Sequence, residues 1–202
     1  MRIDPESRSL NGLSTFLSFV ALNVVYVLAC LPIVTIGAAT AALYEVMIRF
    51  SDDESGRPLK DWFAAFRANF GRATLVSLWL LPPFALLVFS GLFWMSLTTT
   101  LAGVAAVLAF VGAAYVFAAF LYGMAQVAYF RNSVRQTVKN SLLLAAAEPV
   151  RTIGILLFPV TAVTLTILFP PFAILVLTIG FTIGAYGTAF LFRSVFSRHL
   201  PE

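Results

Sequence analysis

The chain has 202 residues, of which 60% are hydrophobic and only 11% charged, with a formal net charge of +4. Soluble domains carry about 25% charged residues, so this balance argues against a water-soluble fold. The basic residues stand beside apolar runs instead of along one soluble face, which argues against a nucleic-acid binder.

No Asp, Glu, Lys, Arg or His occurs in residues 9–44, 73–130 or 152–192, and each run exceeds the roughly 20 residues that one spanning helix needs. Backbone amides in hydrocarbon must be paired within the segment, and none of the runs alternates like a barrel strand. The expected fold class is therefore all-α: a polytopic helical membrane protein, residues 1–202 forming a single transmembrane domain.

The first run, about residues 9–50, contains Cys30-Leu-Pro-Ile-Val-Thr-Ile-Gly37. Read as one crossing it gives five helices in all; read as a hairpin with its tip at Pro32 it gives six; a re-entrant hairpin is a third reading. Thr35-Ile-Gly37 with Ala41-Ala42 and Tyr44 recurs as Thr178-Ile-Gly180 with Gly184-Ala185, an internal echo that favours the hairpin. Against it stands length, since residues 33–50 rise only about 27 Å. Cys30 follows Val27-Leu-Ala29 in the manner of a lipoprotein processing site, but the apolar residues after it suit a buried structural thiol better. Glu45 lies one turn from Arg49, spacing that suits an ion pair.

Asp52-Asp-Glu54 reads as a solvated turn. Residues 58–72 then place Leu59, Trp62, Phe63, Phe66 and Phe70 at helical spacing, with Lys60, Asp61, Arg67 and Asn69 elsewhere, and Pro58 in the first turn. This predicts an amphipathic interfacial elbow. The second run, about 73–130, divides at Ser96-Leu-Thr-Thr-Thr100 into a second hairpin. A second elbow is expected at 131–148, where Val134, Val138, Leu142 and Ala145 oppose Arg135, Gln136, Lys139 and Asn140. The third hairpin, about 152–193, divides at Phe169-Pro170-Pro171, because two consecutive prolines remove two amide donors. Pro82, Pro83 and Pro159 are expected to kink the helices entering the second and third hairpins.

Both later tips lack basic residues, so hairpins gather all the basic segments on one side. By the positive-inside rule that side is the cytoplasm, with both termini there if the first run is a hairpin. Pro32, Thr35, Gly37, Ala41, Gly180 and Gly184 are the expected turn and packing residues, since small residues four apart let membrane helices approach closely. Asn23, Glu45 and Gln126 are the candidate intramembrane polar site. Lys60, Trp62, Arg67, Arg135 and Lys139 are the candidate contacts to a partner or to anionic lipid.

Catalytic signals are thin. One Cys and one His support neither a disulfide, a metal site nor a Cys/His pair, and Ser, His and Asp do not assemble. No enzyme, cofactor or metal is expected. Leu31-Pro-Ile-Val-Thr-Ile-Gly-Ala-Ala-Thr-Ala-Ala-Leu-Tyr44, Phe66-Arg-Ala-Asn-Phe70 with Arg72-Ala-Thr74, and Arg135-Gln-Thr-Val-Lys-Asn140 resemble the YesL-like family of bacterial membrane proteins over about residues 10–165. The chain departs from that pattern at Gln126-Val-Ala128, where members often have Pro. The resemblance implies an integral protein of the bacterial inner membrane, without assigned activity, associated with carbohydrate uptake and with binding-protein-dependent sugar transporters. Two functional readings follow: an accessory or regulatory subunit beside a sugar-transporter complex, or a small transporter or channel in its own right. Substrate, partner identity and oligomeric state are not written in these residues.

Overall fold

The computed structural model describes residues 5–53 and 57–199. Arg2, Glu54 and Gly56 lie outside the described residues, as do the chain ends and the His199 side chain. The described chain is all-α and contains six helices long and apolar enough to cross a membrane. It is an all-α polytopic membrane fold.

Helix α1 (Pro5–Cys30) is followed by a 3-10 turn (Ile33–Thr35) and α2 (Ile36–Asp53). The turn has a local cause. Pro32 sits at φ −77° and ψ 117°, an extended conformation, and it has no amide to donate to the end of α1, so the helix stops before it. The Thr35 hydroxyl then donates back to the Ala29 carbonyl, which α1 leaves unpaired at its end, and to the Pro32 carbonyl at 2.7 Å. The hairpin reading of the first run is the one the structure adopts. Asp52 and Asp53, expected in a turn, form the last turn of α2.

Helix α3 (Pro58–Met95) is one unbroken element of 38 residues, about 57 Å long. The expected first elbow, 58–72, is thus the start of the same helix that crosses the membrane, and Pro82 and Pro83 do not divide it. Helix α4 (Thr100–Tyr129) opens on Thr99, whose hydroxyl accepts from the Ala102 amide at 3.3 Å, and closes the second hairpin. The second elbow is a separate helix, α5 (Val134–Ala147). Helix α6 (Pro149–Leu168) ends at the expected Phe169-Pro170-Pro171 tip. The last span comprises a short turn α7 (Phe172–Leu175), a π-helical segment (Val176–Gly180) and α8 (Phe181–His199).

Helix α2 is the centre of the bundle: 61% of its spanning window is buried, against 11% for α1 and for α6. A Cβ placed on Gly37 would lie 2.6 Å from the Ser77 side chain and 2.7 Å from the Ala73 carbonyl oxygen. The backbones of α2 and α3 therefore approach as closely there as glycine alone permits, and Ala38, Ala39, Ala41 and Ala42 continue the buried surface. In α3 the buried positions are Trp62, Ala65, Asn69, Ala73, Val76, Ser77 and Leu80, a helical stripe rich in small and polar residues. In α5 they are Thr137, Ser141 and Ala145, with Val138 and Leu142 only half buried. The hydroxyls of Thr137 and Ser141 donate to the carbonyls of Ser133 and Val138 at 3.0 and 2.8 Å, so a polar stripe can face the core without unmet donors. Large apolar side chains such as Trp79, Leu86, Phe89, Leu101, Leu108, Ile167 and Ile174 point outward, toward where lipid would lie.

Candidate functional site at the charged end of the bundle

The end of α2, the start of α3 and the end of α4 come together with the end of α8. Four C-terminal carbonyls of any helix lack an intrahelical donor, and here two arginines from neighbouring helices supply one. Arg72 of α3 donates to the Val127 carbonyl in the last turn of α4 at 2.6 Å. Arg193 of α8 donates to the Ser51 carbonyl in the last turn of α2 at 3.2 Å and forms an ion pair with Asp52. A cation at a helix C-terminus also complements the helix dipole.

Glu45 joins these helices. One carboxylate oxygen pairs with Arg49, and the other accepts from Asn69 Nδ2 at 2.6 Å. Asn69 Oδ1 in turn accepts from Arg72 at 3.1 Å. The chain of contacts Arg49, Glu45, Asn69, Arg72, Val127 spans three helices. Both carboxylate oxygens of Glu45 are engaged, and the bond to Asn69 ties α2 to α3. A separate pair, Arg151 with Glu148, closes the first turn of α6. Two clefts open beside the network. One of about 210 Å³ is lined by Glu45, Ile48, Arg49, Asp52, Ala128 and Tyr129. A smaller one of about 30 Å³ is lined by Val46, Arg49, Phe50, Pro58 and Asp61. Behind them an aromatic layer packs edge to face, Tyr44 and Tyr122 each on Phe192 and Phe130 on Phe196, with Tyr129 tilted against Phe196.

The expected polar trio does not form one site. Glu45 belongs to the charged end. Gln126 is buried one residue before Val127, and its Nε2 has no hydrogen-bond partner among the described residues. Asn23 lies elsewhere in the bundle, fully buried against the π-helical segment, bonded to the backbone of Val176, Leu177 and Thr182.

Of the expected surface contacts, Lys60, Arg67, Arg135 and Lys139 are exposed. Trp62 is not: it is 1% exposed and stacked on Phe66, because the small-residue stripe of α3 turns it toward the core, leaving Phe63 and Phe70 outside. On the last helix the close approach is at neither Gly180 nor Gly184. Gly180 lies in the π segment against its own Val176, and a Cβ on Gly184 would sit 4.0 Å from Phe158, ordinary contact. The tight position is Gly187, where a Cβ would lie 2.7 Å from the Phe158 ring.

Sequence reasoning passed over Asn69, Arg72 and Arg193 as site residues. Arg72 and Arg193 each flank an uncharged run, the place where a guanidinium can reach a helix end, and Asn69 falls on the 62, 65, 69, 73, 76 stripe. Among the described residues no group of three or more His, Cys, Asp or Glu side chains converges to hold a metal ion.

A family model described as "Protein of unknown function, DUF624" matches residues 19–91, the stretch holding the second half of α1, from Phe19 on, all of α2 and nearly all of α3. Asn23, Gly37, Glu45, Asn69 and Arg72 fall inside it; Gln126, Arg135, Lys139 and Arg193 fall outside. No curated protein and no solved structure matches the chain. Over residues 19–91, then, the chain is similar to a family to which no function has been given.

Proposed function

We propose that the protein is a non-enzymatic interaction subunit of the bacterial inner membrane, serving a carbohydrate-uptake system as an accessory or regulatory component with its basic end in the cytoplasm. The observation that carries this reading is a division of charge. Arg72, Arg151 and Arg193 are engaged in internal contacts, whereas Lys60, Arg67, Arg135 and Lys139 project from the same end of the bundle, exposed. The first group holds the fold and the second is free to meet an acidic partner. The close-packed layer of Ala38, Ala42, Met47, Val76, Phe120 and Met124 around α2 favours a bundle that binds over one that conducts. The sugar-uptake assignment draws on the resemblance over residues 10–165, and the cytoplasmic placement on the positive-inside rule.

The test is replacement of Lys60, Arg67, Arg135 and Lys139 together by Gln, followed by purification from native membranes. The co-purifying partner is expected to be lost at unchanged thermal stability, because exposed charges contribute little to folding. Purified protein that moves sugar into liposomes unaided overturns this reading in favour of a small transporter, which the 210 Å³ cleft at Glu45 and the in-helix prolines would serve. For sidedness, single cysteines at Gly56 and Thr99 in a Cys30→Ser background are expected to give labelling by an impermeant external reagent at Thr99 alone.

A further inference from the structure

Where the last span passes from π to α form, a side chain of α1 is built into its backbone. Through Val176–Gly180 the helix is in π form, in which an amide looks to the carbonyl five residues back. For the Thr182 amide that carbonyl is Leu177's. Both bond Asn23: its Nδ2 donates to the Leu177 carbonyl at 2.7 Å and to that of Val176 at 3.2 Å, and its Oδ1 accepts from the Thr182 amide at 3.0 Å. The carboxamide stands between donor and acceptor as a peptide unit would. Asn23 is fully buried, and both of its ends are met by backbone, with the Thr182 hydroxyl also 3.5 Å from its Oδ1.

We infer that Asn23 is a surrogate peptide group that locks the last span in its π register, and that this register sets the face on which Arg193 reaches the end of α2. A π turn holds one residue more than an α turn. Without it, every residue beyond would rotate by about 100° relative to the residues before.

The two sides of the segment differ in what they tolerate. Ahead of it Ile174 and Leu175 are exposed, as are Leu177 and Thr178 within it, and their register constrains nothing. Beyond it Thr182, Ala185, Ala189, Phe192 and Phe196 are buried at spacings of three and four, and Arg193 bonds Ser51 and Asp52. That face can have only one register. The lock thus acts roughly 17 Å along the helix, from Thr182 to Arg193. Its components are paired: the Leu177 carbonyl and Thr182 amide take the carboxamide as partner, since unpaired backbone groups in hydrocarbon are strongly unfavourable, and the buried carboxamide needs them.

The test is a cycle on the full-length protein in detergent: Asn23→Leu, deletion of Ile179, and the two together, followed by thermal unfolding. Deleting one residue lets the segment close as α-helix while the face beyond keeps its register. Each single change is expected to lower the melting temperature by roughly 5 °C or more, and the double variant to recover most of that loss. Arg193→Gln, placed in each background, reads the register directly: it is expected to lower the melting temperature in the parent and the double variant but not in Asn23→Leu alone. If a single variant does not fold, a folded double variant still supports the lock. Additive losses, a double variant no better than Asn23→Leu, or an Arg193→Gln effect unchanged by Asn23→Leu overturn it.

Discussion

Helix α2 and the last span both return from a hairpin tip and share the tripeptide Thr-Ile-Gly, yet they are held in the bundle by different physics. In α2 the tripeptide opens the helix: Thr35 closes the turn onto the end of α1, and Gly37 lets α3 approach to backbone contact. In the last span it lies in the π segment, where the Thr178 hydroxyl only bonds back to its own helix at Ile174 and Leu175, and Gly180 meets its own Val176. One helix is fixed by fit and the other by an amide bridge from Asn23. Lipid tails are as apolar as Leu, so helices in a membrane associate through close packing or through hydrogen bonds, with no hydrophobic drive between them. The two spans exemplify the two routes, and a shared tripeptide does not predict which one is taken.

The largest expected effect that would break this contrast is at Gly37. Gly37→Leu drives side-chain atoms into Ser77 and the Ala73 carbonyl, and overpacking of this kind typically destabilises by about 1 to 3 kcal/mol. A loss at or above the top of that range is expected by thermal unfolding, and a Gly37→Leu protein as stable as the parent would mean that α2 does not rest on fit. Smaller, and sharper as a comparison, is the pair Thr35→Val and Thr178→Val. Removing the Thr35 hydroxyl leaves the Ala29 carbonyl without its donor, for an expected loss of about 1 kcal/mol, whereas Thr178→Val should be close to neutral because its carbonyl partners keep their helix. Equal losses would return the two tripeptides to equivalence. The smallest effect is expected at Gly184→Ala, where the new methyl meets Phe158 at ordinary contact distance and helix propensity gives a gain of up to about 1 kcal/mol. A clear loss there would restore Gly184 as a packing position.

Much of the architecture was legible in the sequence because it rests on coarse physics. Uncharged runs of sufficient length, Pro170-Pro171 and the polar Ser96 to Thr100 tip fixed the later hairpins, and Pro32 with Thr35 marked the first. The burial pattern was not legible by the same reasoning, which grouped Leu59, Trp62, Phe63, Phe66 and Phe70 as the apolar face of an interfacial elbow. Sorting a helix into one apolar and one polar face belongs to helices in contact with water. In a bilayer large apolar side chains lose nothing by facing out, while Ala65, Asn69, Ala73 and Ser77 gain by letting helices meet. Trp62 was misread as a surface contact for this reason, and Asn69 was assigned to the solvent side. Asn23 was recognised as a polar residue able to bond another helix, but its partner is a π segment that no spacing rule foretold. The charged end was half legible: the Glu45 and Arg49 spacing is local, whereas the reach of Arg72 to α4 and of Arg193 to α2 joins residues 55 and 142 positions apart.

The central position of α2 has a consequence for how the protein is made. Its spanning window has a mean hydropathy of 1.5, the lowest of the six and well below the 2.4 of α4, and it carries Thr40, Glu45 and Arg49 on a surface rich in alanine. It leaves the ribosome 40 residues ahead of the Ser77 against which Gly37 will rest. At about 5 to 20 residues per second, α2 waits some seconds for the helix that covers it. During that interval α1 is the helix beside it in the chain, and α1 contributes little cover of its own. The natural unit of insertion is therefore the triplet α1 to α3, released into lipid together once α3 has threaded past α2. The remaining spans then arrive at a surface already formed.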